Sequence, residues 1–199
     1  MTEVWSVLRD MTVWCSQKDY AEAERLGKRF LPVAERTHGL LHEDTSKLVL
    51  KLGHALGLQH KHAEADPLYE RWLQAAEAAG GDDLRVIHVI RVITDMARNL
   101  RSAGSTSKAQ SMYSRALTLS ESRPGGARQE VLLELGTLYG EQGRYQEAEK
   151  LLRRCWSKAY PSDTEAAEAL GDVLRKTGRE QEAEEIEGDA RRHQWYLDV

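Results

Sequence analysis

Small and apolar positions return along this chain in one fixed order, and they do so five times. The phrases are SQKDYAEAERL near residue 18, LGLQHKHAEADPLYERWL near 60, LRSAGSTSKAQSMYSRAL near 104, GEQGRYQEAEKLL from Gly140 to Leu152, and LRKTGREQEAEEI near 178. Aligned on the alanine after the turn, they bring Ala23, Ala65, Ala109, Ala148 and Ala183 into register. Twelve residues earlier stand Met11, Gly53, Ala97, Gly136 and Gly171. Four residues later stand Gly27, Tyr69, Tyr113, Leu152 and Glu187, and seven later Phe30, Trp72, Ala116, Cys155 and Ala190. A repeat of this length predicts a stack of helix pairs. Small residues on helices A and B let the two axes approach, and larger side chains fill the grooves around them. Gly104, Gly143 and Gly178 fall between the helices, where a left-handed residue ends the first of each pair. One pair cannot bury its apolar face, so neighbouring pairs must stack on it. The single β-branched run, VIHVIRVI from Val86 to Ile93, has no partner strand in the sequence and fits a helix covered on two sides.

These offsets resemble the tetratricopeptide repeat, over nearly the whole chain. The fourth unit matches most fully, with Leu135, Gly136, Tyr139, Gly143, Tyr145 and Ala148 at the family's positions. The second is similar to the longer units of kinesin light chains. His42 and Asp44 fit the start of its first helix, Glu43 stands where a proline would be, and ADPLYERWL fits the second. The resemblance implies an all-α, right-handed superhelix of five helix-turn-helix units, about residues 4–40, 45–80, 83–122, 128–160 and 163–197, in a single domain. Gly80-Gly81 and Pro124-Gly125-Gly126 read as loops between units. The last unit puts Glu187 and Arg191 where earlier units have apolar residues, which predicts a polar capping face. The first has Asp10 where others have leucine or methionine, which predicts an exposed edge.

Composition narrows the function. Alanine, leucine, glutamate and arginine, all strong helix formers, dominate a chain of 199 residues with four prolines and one phenylalanine. The formal charge of -4 argues against a nucleic-acid partner. Two cysteines make no disulfide framework. No run approaches the roughly 20 apolar residues of a membrane span, and the N-terminal MTEVWSVLRDM carries Glu3, Arg9 and Asp10 rather than the apolar core of a signal peptide. A soluble, cytoplasmic protein with no membrane contact is expected.

No phosphate-binding glycine loop, nucleophile elbow or His-Glu-x-x-His appears. The His60-Lys61-His62 triplet and the His38/His42 pair lack the spacing of a metal set. Nothing beside Cys15 in sequence lowers its pKa. No catalytic residue, metal or cofactor is expected. The inward face of the A helices is the informative surface, since the family's resemblance implies a concave groove for a peptide or partner helix. Its inward register gives Lys47, Lys51 and His54 in the second unit and Arg91, Arg98 and Arg101 in the third, with Glu130, Glu134 and Glu141 in the fourth. The six basic residues predict a site for a protein or peptide with an acidic segment or a C-terminal carboxylate, which arginine pairs with bidentately. Pairing with Glu130 and Glu134 is the competing use of the same charges. Of the positions used by chaperone-tail clamps only Arg91 matches, so that specificity is not implied. The tail RRHQWYLDV offers a cap over the last unit or, through Trp195, Tyr196 and Leu197, a self-association surface. The expected role is a non-catalytic adaptor or scaffold. The alternative is an obligate accessory or regulatory subunit of an enzyme complex.

Overall fold

The computed structural model describes residues 2–79, 83–121, 126–156 and 164–197, and the side chains of 4–79, 86–121, 127–156 and 164–192. Ten helices are described: α1 Thr2–Ser16, α2 Tyr20–His38, α3 Glu43–Leu58, α4 His62–Ala79, α5 Asp83–Ser102, α6 Thr106–Ser120, α7 Gly126–Glu141, α8 Tyr145–Cys155, α9 Thr164–Lys176 and α10 Glu180–Leu197. No strand occurs among the described residues. The fold class is therefore the all-α one expected, and VIHVIRVI lies in α5 with Ile90, Val92 and Ile93 buried. The chain divides into two compact bodies, Met1–Leu119 and Ser120–Val199. In the first, α1, α3 and α5 pack successively, with α2 against α1 and α3 and α4 against α3 and α5. In the second, α7 packs on α9, with α8 against both and α10 against α9. Gly80, Gly81, Pro124 and Gly125 lie outside the described residues.

Each A helix ends in the same way. The N–H of Lys18 donates to the Cys15 carbonyl and that of Asp19 to the Trp14 carbonyl; the next four turns repeat both bonds, at His60/Lys61, Gly104/Ser105, Gly143/Arg144 and Gly178/Arg179. Paired bonds of this kind around one left-handed residue satisfy carbonyls that the helix end would leave open. Three turns use glycine, at φ +77°, +74° and +78°, but Lys18 and His60 take the same place at φ 61° and 59°. These two side chains therefore sit in a region disfavoured for L-residues by about 1–2 kcal/mol.

Helices A and B meet through one small and one large residue. A Cβ on Gly53 would lie 2.2 Å from the Tyr69 ring, and one on Gly136 would lie 2.7 Å from Leu152. In the first unit the sizes are exchanged, with Met11 on α1 filling the space left by Gly27 on α2, 3.0 Å from where a Cβ would stand. The aligned alanines Ala23, Ala65, Ala109, Ala148 and Ala183 are all fully buried. The last unit corrects the expected polar cap at one position. Arg191 is exposed, but the Glu187 side chain is only 15% exposed. It lies over Gly171 and receives two 2.7 Å hydrogen bonds from Arg175. Its aliphatic stem takes the place of the apolar knob, and the guanidinium supplies the partner that a buried carboxylate needs.

Candidate functional site

The six basic residues all fall in the first body. Lys47, Lys51 and His54 stand on α3 at a four- and three-residue spacing, and Arg91, Arg98 and Arg101 on α5, which packs directly against α3. Arg91 and His54 are exposed; Lys47, Lys51, Arg98 and Arg101 are half-buried. The spacing keeps each set on one side of its helix.

Lys47 and Arg98 have carboxylate partners on their own helix. Lys47 Nζ lies 2.7 Å from Glu43 Oε1, and Arg98 pairs with Asp95. Both pairs were open to a reading of sequence spacing, being i,i+4 and i,i+3. Lys47 does more than pair, because its ammonium also lies 5.0 Å from the centroid of the Trp5 ring on α1. Trp5 is 60% exposed, so the ring and the cation form an accessible amphipathic step beside α3. Further along, Lys51 lies close enough to α1 to act on Cys15. Burial pushes the Cys15 thiol up from 9.0, and the Lys51 charge offsets part of that rise. Burial thus favours the protonated thiol.

Beneath the Asp95–Arg98 pair lies a buried phenol. The Tyr69 hydroxyl has no hydrogen-bond partner and is packed against Gly53. Burial first and the Asp95 carboxylate next raise its pKa well above 10.0, with Arg98 opposing. Nothing in the repeat pattern signals this, since the pattern marks Tyr69 only as a large core residue. Glu130 and Glu134 belong to the second body. The histidines contact each other, with His38 and His42 stacked at 4.8 Å and His60 edge-on to His62 at 5.9 Å. Among the described residues no group of three or more His, Cys, Asp or Glu side chains is placed to hold a metal ion. Nor is any described helix long and apolar enough to cross a membrane. The side chains of Trp195, Tyr196 and Leu197 lie outside the described residues.

Helix pairs joined by five like turns, with a small-to-large contact inside the first, second, fourth and fifth, define a tetratricopeptide array. Two tetratricopeptide-repeat family models match the chain, over residues 89–157 and 133–193, and the chain belongs to that family. Solved structures with the same fold include the kinesin-light-chain TPR-like repeats of Podosopora anserina, at 18% identity, TM-score 0.72 and 99% coverage of both chains. Another is the Rap conjugation gene regulator of plasmid pLS20, in complex with the Phr* peptide. It gives 16% identity and TM-score 0.76, covering 98% of this chain and 54% of that one. A curated relative, protein O-mannosyl-transferase TMTC1 of Homo sapiens, is 35% identical over 99 residues. That match spans 50% of this chain and 10% of the human protein.

Proposed function

We propose that the chain is a non-catalytic protein-interaction scaffold, and that the face of α1, α3 and α5 receives an acidic segment or a C-terminal carboxylate of a partner. The observation that carries this is the exposed Trp5 ring with Lys47 over it, continued by Lys51, His54, Arg91, Arg98 and Arg101 on the two neighbouring A helices. Glu43 and Asp95 neutralise part of that charge. The ring supplies apolar area and the cations supply orientation, which is the division of labour in peptide recognition. The Cys15 thiol, held up by burial, offers no nucleophile beside the face.

The test is fluorescence anisotropy with labelled Glu/Asp-rich peptides, free or amidated at the C-terminus. Lys51→Glu with Arg91→Glu should weaken binding by about tenfold or more, mostly through slower association at low salt. Preference for the free terminus would mark carboxylate capture. Equal affinity of wild type and the double variant for every peptide would remove the basic face from consideration.

The second reading, an accessory or regulatory subunit of an enzyme, draws on the human relative, in which a similar segment forms a small part of a protein named as a transferase. It requires co-purification with one partner in fixed ratio. A chain that purifies alone and binds reversibly is the scaffold.

A further inference from the structure

The second body holds a cleft between α7, α8 and α9. Thr137, Gly140 and Glu141 of α7, Tyr145 at the start of α8, and Ala169, Asp172, Val173 and Lys176 of α9 enclose about 270 Å³. That is below the roughly 300 Å³ at which small-molecule sites begin, and it suits one inserted side chain. The cleft exists because α7 carries Gly140 where it faces α9: a Cβ there would meet only Val173 Cγ2, at 3.3 Å. The corresponding step in the first body is closed. Gly57 of α3 occupies the same repeat position as Gly140, and there the Asn99 side chain of α5 fills the space, its Oδ1 2.0 Å from where a Cβ would stand. Two glycines in one register thus have opposite fates, one plugged by the following A helix and one open.

The open cleft is walled mainly by apolar atoms, and its rim carries Glu141 and Asp172 against Lys176. Asp172 is 79% exposed. Glu141, Glu134 and Glu130 follow one stripe of α7 by helical spacing, and Glu165 lies a heptad before Asp172 on α9. Arg175, on the same helix, is engaged with Glu187 and Glu180 as well as Asp172, so the Asp172 carboxylate is only partly compensated and stays largely in solvent at the mouth.

We infer that this cleft is a docking subsite for an aliphatic side chain, leucine-sized, in a partner segment that carries a lysine or arginine within a residue or two of it. The aliphatic group fills the space beside Gly140 against Val173, Ala169 and the Tyr145 ring, and the flanking cation meets the exposed Asp172. The subsite is independent of the basic face on α3 and α5, and takes a segment of opposite charge.

The experiment uses the full chain and labelled short peptides with one leucine and two basic residues at every relative spacing in a Gly/Ser background, read by fluorescence polarisation. At least one spacing should bind, and its leucine-to-alanine version should bind about tenfold more weakly, as expected for loss of a side chain from an apolar pocket. Gly140→Leu fills the cleft from within and replaces a helical glycine by a better helix former, so it should keep the wild-type circular dichroism and abolish binding. Asp172→Lys alters only an exposed charge and should weaken binding of the same peptide by a similar factor. Should Gly140→Leu fail to fold, Asp172→Lys and the alanine peptide decide. Lys51→Glu with Arg91→Glu should leave the affinity unchanged or tighter. Binding that ignores the leucine, survives Gly140→Leu, or appears only with acidic peptides would overturn the assignment. So would sedimentation showing that Gly140→Leu breaks a dimer of this chain, since the occupant would then be a second copy.

Discussion

Glu24→Gln tests whether a buried carboxylate holds the first helix pair to the second. Glu24 lies on α2, only 8% exposed. Its oxygens receive Lys28 Nζ and Lys61 Nζ, each at 2.6 Å, and Gln59 Nε2 at 2.8 Å. Lys61 and Gln59 come from the turn between α3 and α4, and Gln59 also donates to the Tyr20 carbonyl at 3.1 Å. Burial alone would raise the Glu24 pKa, but these three donors outweigh it and bring it from 4.5 down to about 2. A folded-state pKa below the unfolded one contributes stability that is present above 4.5 and lost as pH falls towards 2. The gap corresponds to about 3 kcal/mol at 1.36 kcal/mol per unit. Lys28 and Lys61 are 47% and 40% exposed, and solvent screening of their share reduces the expected effect to about 2 kcal/mol. At pH 3, between the two pKa values, about two-fifths of it remains. Urea unfolding followed by tryptophan fluorescence should therefore find Glu24→Gln less stable by about 2 kcal/mol at pH 7 and by about 1 kcal/mol at pH 3. A difference that is the same at both pH values, or below about 0.5 kcal/mol at pH 7, would refute the claim that the charge, and not the shape, of Glu24 ties α2 to that turn.

Substitutions at the turns and at the Gly53–Tyr69 contact separate backbone strain from crowding. Lys18→Gly and His60→Gly should each raise thermal stability by about 0.5–1 kcal/mol, and Gly143→Ala should lower it by about 1 kcal/mol, although no atom would stand within 4 Å of the new Cβ. Gly53→Ala should cost about 2–3 kcal/mol for the opposite reason, its Cβ falling 2.2 Å from the Tyr69 ring. Tyr69→Phe should be neutral or stabilising in the same denaturation assay, because the hydroxyl it removes is buried without a partner; a loss above about 1 kcal/mol would mean that the phenol has a partner after all.

Helix periodicity and size complementarity are properties of the backbone, which is why they were legible. Helices A and B must approach at one level, so a small residue faces a large one, and the register survives even where Met11 and Gly27 exchange sizes. Turn chemistry was legible only where glycine carried it. Lys18 and His60 adopt the same left-handed conformation because the paired bonds to the preceding carbonyls outweigh its cost, and that balance leaves no mark in residue type. Charge was legible least. Inward register assigned Arg98 and Lys47 to A helices, but a long side chain chooses among partners within reach. Asp95 and Glu43, one turn away, secured them. Glu187 gives the same lesson in reverse: polarity suggested an exposed cap, yet Arg175 lets it pack over Gly171. The two inward glycines carry the point into function. Gly57 and Gly140 are equivalent in the repeat, and the difference between a plugged step and an open cleft rests on the next A helix offering Asn99 in one case and Val173 in the other. A repeat array thus states its architecture in the residues that recur, and its binding chemistry in those that break the recurrence.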